Sequence, residues 1–169
     1  EENGQFVQIP VRPDWSDPTD LLGYTDLSGS FRVGKVTKVL LEASKPDNKH
    51  KPYFICLDEM NLARVEHYFS DLLSILETKR WKNGEIITDH VLPTHHLSGQ
   101  DLETYGKLII PDNVYFIGTV NMDETTYPFS KKVLDRANTI EFNYIDLLSF
   151  PDEEELKTEL KPIAVQNHV

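Results

Sequence analysis

Two stretches of the chain run apolar without a charge: Tyr53-Phe54-Ile55-Cys56-Leu57, and further on Val114 to Val120. Runs of this length read as strands. Unbroken apolarity, as opposed to alternation, marks parallel strands covered by helices on both sheet faces. A shorter strand-like run, Phe6 to Ile9, comes near the start. Helical spacing is predicted over Lys35–Ala43, ending before a turn at Pro46-Asp47-Asn48. It is clearer from about Val65 to Glu77, where Val65, Tyr68, Phe69, Leu72, Leu73 and Leu76 fall on one stripe. Such a stripe is core packing. Asn83-Gly84, between Arg80-Trp81 and Ile86-Ile87, is a two-residue hairpin signal. Residues 10–34, rich in Pro, Gly, Asp and Ser, predict an irregular surface segment, and residues 88–113 are loose around Pro93, Gly99 and Pro111. After the Val114 run come a loop to Tyr127, a short helix from about Ser130 to Asp135 and a last strand, Thr139 to Phe142. Pro151-Asp152-Glu153-Glu154-Glu155 opens an acidic helix, with its acids favourably placed at the N-terminus. No internal repeat is visible.

Composition narrows the class. At 169 residues, with 39% hydrophobic and 27% charged residues, the chain is one globular domain able to bury a core. A net charge of −11 argues against this piece being the main grip on a nucleic-acid backbone, although a local basic patch is allowed. Cys56 is the only cysteine, so no disulfide can form within one chain, which suits a reducing cytoplasm. No apolar stretch approaches membrane-spanning length, and the start lacks a basic-then-apolar signal pattern. Because a strand follows Glu1-Glu2 almost at once, the chain reads as an excised fragment.

The first apolar run ends in two adjacent acids, Asp58 and Glu59, and the second ends in Asn121. Acids at the carboxyl end of a parallel strand sit where open α/β sheets bind ligands. There Asp58 can hold Mg²⁺, usually through water, and Glu59 can polarise an attacking water, which is the Walker B half of a nucleoside triphosphatase. A core strand followed by an acidic turn gives the same letters. The second strand with its terminal Asn121 favours the catalytic reading.

A triphosphatase also needs a phosphate cradle. Gly29-Ser30-Phe31-Arg32-Val33-Gly34-Lys35 matches G-x-x-x-x-G-K, but Val36 stands where a Ser or Thr hydroxyl should meet Mg²⁺. No buried strand precedes it, since Leu21 to Ser28 does not read as one, and the gap to Asp58 is short. The match is read as a glycine-containing turn entering a helix. His90, His95 and His96 lack metal-ligand spacing and are read as structural or solvated. Nucleophilic catalysis has no support, with Cys56 inside a strand and no G-x-S-x-G elbow.

Phe54-Ile-Cys-Leu-Asp-Glu-Met-Asn-Leu-Ala-Arg64 with Gly118-Thr-Val-Asn-Met-Asp-Glu-Thr-Thr126 resembles the AAA+ domain of McrB-type proteins. These are NTPase motors of restriction systems acting on methylcytosine-containing DNA. Val11-Arg-Pro-Asp-Trp-Ser-Asp-Pro-Thr-Asp-Leu-Leu-Gly23 and Phe129-Ser-Lys-Lys-Val-Leu-Asp-Arg-Ala137 support the resemblance, which covers roughly residues 5–145. It implies an α/β P-loop AAA+ core, a parallel sheet flanked by helices. A β-hairpin is inserted before sensor 1, and the phosphate loop lies upstream of Glu1. Residues 1–169 would then be a partial AAA+ domain, with the acidic helix from about 151 at its end.

By the same resemblance, Asp58 looks like the Walker B metal-site acid, Glu59 like the catalytic glutamate and Asn121 like sensor 1. The family signature M-N-T-A-D-R is met by Val120-Asn121-Met122-Asp123-Glu124-Thr125, so Glu124 falls at the Asp position, with Asp123 the alternative, and Thr125 replaces the Arg. Arg136 sits where AAA+ rings place an arginine that reaches the neighbouring subunit's nucleotide; a local ion pair with Asp135 or Glu141 is the plain alternative. Arg64 is a weaker interface candidate. The resemblance implies Mg²⁺-dependent GTP or ATP hydrolysis in a cytoplasmic homo-oligomeric ring, a hexamer by family habit. It also implies a partner endonuclease, and contact with methylated DNA through a domain elsewhere. A MoxR-like protein-remodelling ATPase and a non-hydrolysing scaffold domain are the alternatives. The fragment alone is expected to be inactive.

Overall fold

The computed structural model describes residues 4–82 and 84–142. The chain opens with strand β1 (Phe6–Pro10), then helix α1 (Thr19–Leu22) and a small antiparallel hairpin, β2 (Gly23–Thr25) and β3 (Phe31–Val33). Helix α2 (Lys35–Ala43) leads through a 3₁₀ turn at Pro46–Asn48 into β4 (Tyr53–Asp58). Helices α3 (Val65–Tyr68) and α4 (Ser70–Glu77) follow, then the hairpin β5 (Arg80–Lys82) and β6 (Glu85–Ile87). Helix α5 (Gly99–Tyr105), strand β7 (Val114–Gly118) and helix α6 (Lys131–Leu134) complete the described elements.

The main sheet is a parallel three-stranded one in the order β1-β4-β7. Its register pairs Ile9 with Leu57 and Leu57 with Gly118, so the carboxyl ends of all three strands lie at one edge. Paired residues of parallel strands share a face. One face carries Ile9, Tyr53, Ile55, Leu57, Val114 and Phe116, and it packs into the core with Val36, Val39 and Leu40 of α2 and Leu72 of α4. Ile55, Leu40, Val36 and Leu72 are fully buried, and each such side chain contributes about 1.5–3 kcal/mol relative to exposure.

Helices flank the parallel sheet as expected, and its opposite face is the more open one among the described residues. There Phe6, Tyr115 and Ile117 are 44%, 42% and 44% exposed, and Phe54 stacks on Tyr115 with ring centroids 5.4 Å apart. Among the described residues β7 lies at the edge of the sheet, and it stops at Gly118 instead of running to Val120.

Helix α2 occupies the range its periodicity predicts, and the β5–β6 hairpin forms around Gly84, whose φ of +87° suits a tight turn. Asn83 lies outside the described residues, as does the acidic helix from about Pro151. Four expectations change. The Val65–Glu77 helix is interrupted at Phe69 (φ −109°, ψ 2°), although Phe69 N and Leu73 N still donate to carbonyls four residues back. The break lets two successive rings, Tyr68 and Phe69, both turn into the core, where Phe69 meets Phe116 edge-on at 5.6 Å. Residues 10–34 are not irregular throughout: they hold α1 and the β2–β3 hairpin, with Leu21 and Leu22 buried. Residues 88–113 contain α5. Thr139–Phe142 is not a strand; Ile140 and Phe142 are 79% and 89% exposed. Its alternating pattern suits a strand, but among the described residues no neighbour offers it a ladder, and unpaired backbone does not hold extended structure by itself.

Candidate functional site

The carboxyl end of β4 meets the loop after β7. The chain leaves β4 at Asp58 and turns sharply, because Glu59 adopts the left-handed conformation (φ 51°, ψ 51°). Among the described residues it is the one non-glycine with positive φ. That conformation costs an L-residue about 1–2 kcal/mol and persists only where the surroundings over-determine it. Here they do. Glu59 N donates to Thr119 Oγ1 at 2.8 Å, Met60 N donates to Thr119 O at 2.8 Å, and Thr119 N donates to Leu57 O at 3.0 Å. Gly118 makes room for this approach: a Cβ there would lie 2.6 Å from Met60 Sδ.

Both carboxylate oxygens of Asp58 receive a donor. Thr119 Oγ1 donates to Oδ1 at 2.7 Å, and Gln8 Nε2, from β1, donates to Oδ2 at 2.8 Å. The Thr119 hydroxyl, then the Gln8 amide, hold the Asp58 carboxyl below its ordinary range. Asp58 is therefore an anion with one lone pair free on each oxygen. Glu59 is exposed beside it. In β4 itself, burial pushes the Cys56 thiol up, with the nearby Asp58 charge acting in the same direction, which leaves it a poor nucleophile.

Asn121 reaches the same edge by a second tie. Asn61, fully buried in the 3₁₀ turn Met60–Leu62, donates Nδ2 to Asn121 O at 2.9 Å. Tyr127 N donates to Asn61 O at 2.9 Å, and Thr126 Oγ1 donates to Asn121 O at 3.0 Å. Tyr68 OH, from α3, supports the turn from below by donating to Met60 O at 2.8 Å. The Asn121 side chain is exposed, with a long contact of 3.3 Å to Asp123 Oδ2. Of the two acids considered in this loop, Asp123 is the engaged one: Thr125 N and Oγ1 both donate to its Oδ1, at 2.8 and 2.6 Å. Those bonds, the Thr125 hydroxyl first, hold its carboxyl below the usual range.

Asp58, Glu59 and Asn121 thus stand at one edge of the sheet. Arg136 is elsewhere engaged. It pairs with Glu77 at the end of α4 and donates to Lys132 O. Arg64 lies over the Tyr127 ring, 5.0 Å from its centroid. Among the described residues no three His, Cys, Asp or Glu side chains converge into a metal-binding group. A cleft of about 500 Å³ opens at the other, amino end of β4, lined by Glu42, Asn48, Lys51 and Tyr53 among others.

The Gly29–Lys35 segment folds differently from a phosphate loop. Asp26 occupies the turn: its Oδ1 accepts from Ser28 N at 2.9 Å and Ser30 N at 3.1 Å, and its Oδ2 pairs with Arg32 at 2.8 Å. Within the segment Ser30 N is held by the Asp26 carboxylate, Phe31 N by Asp101 Oδ2 at 3.1 Å, and Gly29 N and Gly34 N by the Asp26 and Leu22 carbonyls. Gly34 then serves as the N-cap of α2 and packs so closely on Leu21 that a Cβ would lie 2.1 Å from its carbonyl oxygen.

The sequence reading named none of Thr119, Gln8, Asn61 and Tyr68 at this site, and it placed Tyr68 in the core stripe only. Thr119 left one signal there: it is the lone aliphatic hydroxyl in the otherwise apolar Val114–Val120 run. The other three act across contacts that no local pattern encodes. Among the described residues no helix is long and apolar enough to cross a membrane. Comparison of the sequence with protein-family models and with curated proteins finds no match.

Proposed function

We propose that this chain is part of a McrB-type AAA+ core, in which the Asp58–Glu59 turn serves Mg²⁺-dependent hydrolysis of GTP or ATP. The observation that carries the reading is the ending of the central parallel strand in two acids, hydrogen-bonded to the loop that presents Asn121. The inserted β5–β6 hairpin between β4 and β7 agrees with the same family plan. Hydrolysis also requires a phosphate cradle, which residues 4–142 do not form. The assayed species is therefore the assembled protein that carries one.

The donor set fits Mg²⁺ held mainly by water and phosphate. One ionised carboxylate with free lone pairs is the usual protein share for this ion, which keeps several waters. Asp58 would hold it through water, and the ion would supply neutralisation of phosphate charge. The chain's own residues do the rest. Glu59 accepts a proton from the attacking water, Asn121 orients that water by its amide, and Gln8 and Thr119 keep Asp58 ionised and aimed. Arg136 acts on a neighbouring subunit's nucleotide once it leaves Glu77. In the assembly, the motor forms a homo-oligomeric ring that drives a partner endonuclease on methylated DNA. The Arg136–Glu77 pair favours a second reading, a non-hydrolysing assembly domain in which Arg136 is structural.

Hydrolysis by the assembled protein, measured against Mg²⁺ concentration, tests the proposal. Asp58→Asn should shift the Mg²⁺ requirement upward and lower turnover at every Mg²⁺ level. An unchanged Mg²⁺ profile removes Asp58 from the metal site, and the second reading replaces the first.

A further inference from the structure

We propose that Thr119 is the positioning residue of this site: its single hydroxyl joins Asp58 and Glu59 into one preset unit. The inference rests on the hydrolase reading for its consequence in rate, but not for its geometry.

A backbone N–H can only donate, so Thr119 Oγ1 must accept from Glu59 N at 2.8 Å. The one hydroxyl hydrogen is then directed to Asp58 Oδ1, 2.7 Å away. A bond to an ionised acceptor is of the stronger kind. The same residue's backbone closes the turn from both sides, accepting from Met60 N and donating to Leu57 O. Three successive residues of the acidic turn, Asp58, Glu59 and Met60, are thus tied to Thr119, sixty positions away for Glu59.

The left-handed conformation of Glu59 shows what the tie achieves. In a continuing strand, residues 58 and 59 would face opposite sides of the sheet, and Glu59 would point toward the buried face that holds Leu57. The turn at φ 51° breaks that alternation and leaves Glu59 exposed at the strand end, next to Asp58. A conformation rarely taken by glutamate is retained where two acids must stand together. Thr119 is itself exposed; a hydroxyl at such a place is ordinarily satisfied by water, so its full commitment to the turn is specific.

The test compares Thr119→Val, which keeps the branched shape without the hydroxyl, with Thr119→Ser, which keeps the hydroxyl. In Val, amide hydrogen exchange at Glu59 should quicken by about tenfold or more, the scale of one lost hydrogen bond to a backbone donor. The left-handed chemical-shift signature of Glu59 should weaken with it. In the assembled protein, kcat should fall by about tenfold with KM little changed, because positioning and not nucleotide affinity is lost. Ser should restore both readouts. If Val does not fold, Thr119→Ala removes the same hydroxyl without new bulk and takes its place. Unchanged Glu59 exchange in a folded hydroxyl-less variant overturns the proposal, as does an equal loss in Ser and Val. A wild-type assembly that hydrolyses neither GTP nor ATP removes the hydrolase reading instead, and Glu59 exchange alone then decides the positioning claim.

Discussion

Two turns of this molecule carry letters of nucleotide-binding motifs, and they are closed in different ways. The Gly29–Lys35 turn is closed mainly from within: Asp26 gathers Ser28, Ser30 and Arg32, all within six positions of itself, while Phe31 N reaches a distant carboxylate, Asp101. The Asp58–Asn61 turn is closed from far away, by Gln8, Thr119 and the Asn121 carbonyl. A local closure turns donors of the segment, such as Ser30 N, onto its own carboxylate and away from a phosphate. A non-local closure holds acids in a conformation that the segment would not adopt alone, and leaves them facing outward. Where the backbone donors go, more than which residues are present, separates a turn folded on its own carboxylate from one that leaves its acids exposed.

If the acidic site is assembled from distant parts, the largest loss should come from a residue in neither turn. Arg136→Ala is expected to lower turnover of the assembled protein by about 10³–10⁵, the scale of an arginine acting in trans on a transferring phosphoryl group. Mixed with Glu59→Gln subunits, it should regain part of the activity, since one variant keeps the acid and the other lends the arginine. Mixed assemblies without any rescue would leave Arg136 as the structural partner of Glu77.

The local turn should respond to acid by itself. The Ser28 hydroxyl, then the Arg32 guanidinium, lower the Asp26 carboxyl from 3.8 to about 2. A depressed carboxyl stabilises the folded form fully above its unfolded value, and this contribution disappears as pH falls through about 2. Amide shifts of Ser28 and Ser30, followed by NMR from pH 5 downward, should therefore hold until below pH 3 and then move together. Movement centred near pH 4 would show that Asp26 does not close the turn.

The smallest expected effect is the sharpest contrast. Lys35→Ala should leave nucleotide binding and turnover within about twofold of wild type, because surface substitutions away from special features change little. Micromolar nucleotide binding by the chain that disappears in this variant would return the Gly29–Lys35 match to consideration.

Much of the scaffold was legible. The Lys35–Ala43 helix, the Phe6, Tyr53 and Val114 strands and the hairpin at Gly84 follow from periodicity and turn chemistry, which are local. The break at Phe69 was not, because it answers to where Phe116 lies. Thr139–Phe142 has a strand's alternation without a neighbour to pair with among the described residues, and alternation says nothing of neighbours. In the site, Asp58 and Glu59 could be placed at the end of a strand from the sequence, whereas Asn121 lies in the loop after β7, which stops at Gly118. Thr119, Gln8 and Asn61 could not be read that way, since each acts through a contact between segments far apart in sequence, and the Tyr68 hydroxyl could not because its bond to Met60 O depends on how the intervening turn folds.

The most direct test is Glu59→Gln in the assembled protein, with nucleotide binding and turnover measured on the same preparation. Replacing a group that takes a proton from water typically costs about 10²–10⁴ in rate. The account predicts a loss of that size, with Mg²⁺–nucleotide still bound and retained. Turnover at the wild-type rate would contradict it, and Glu59 would then be no more than the acidic end of a strand.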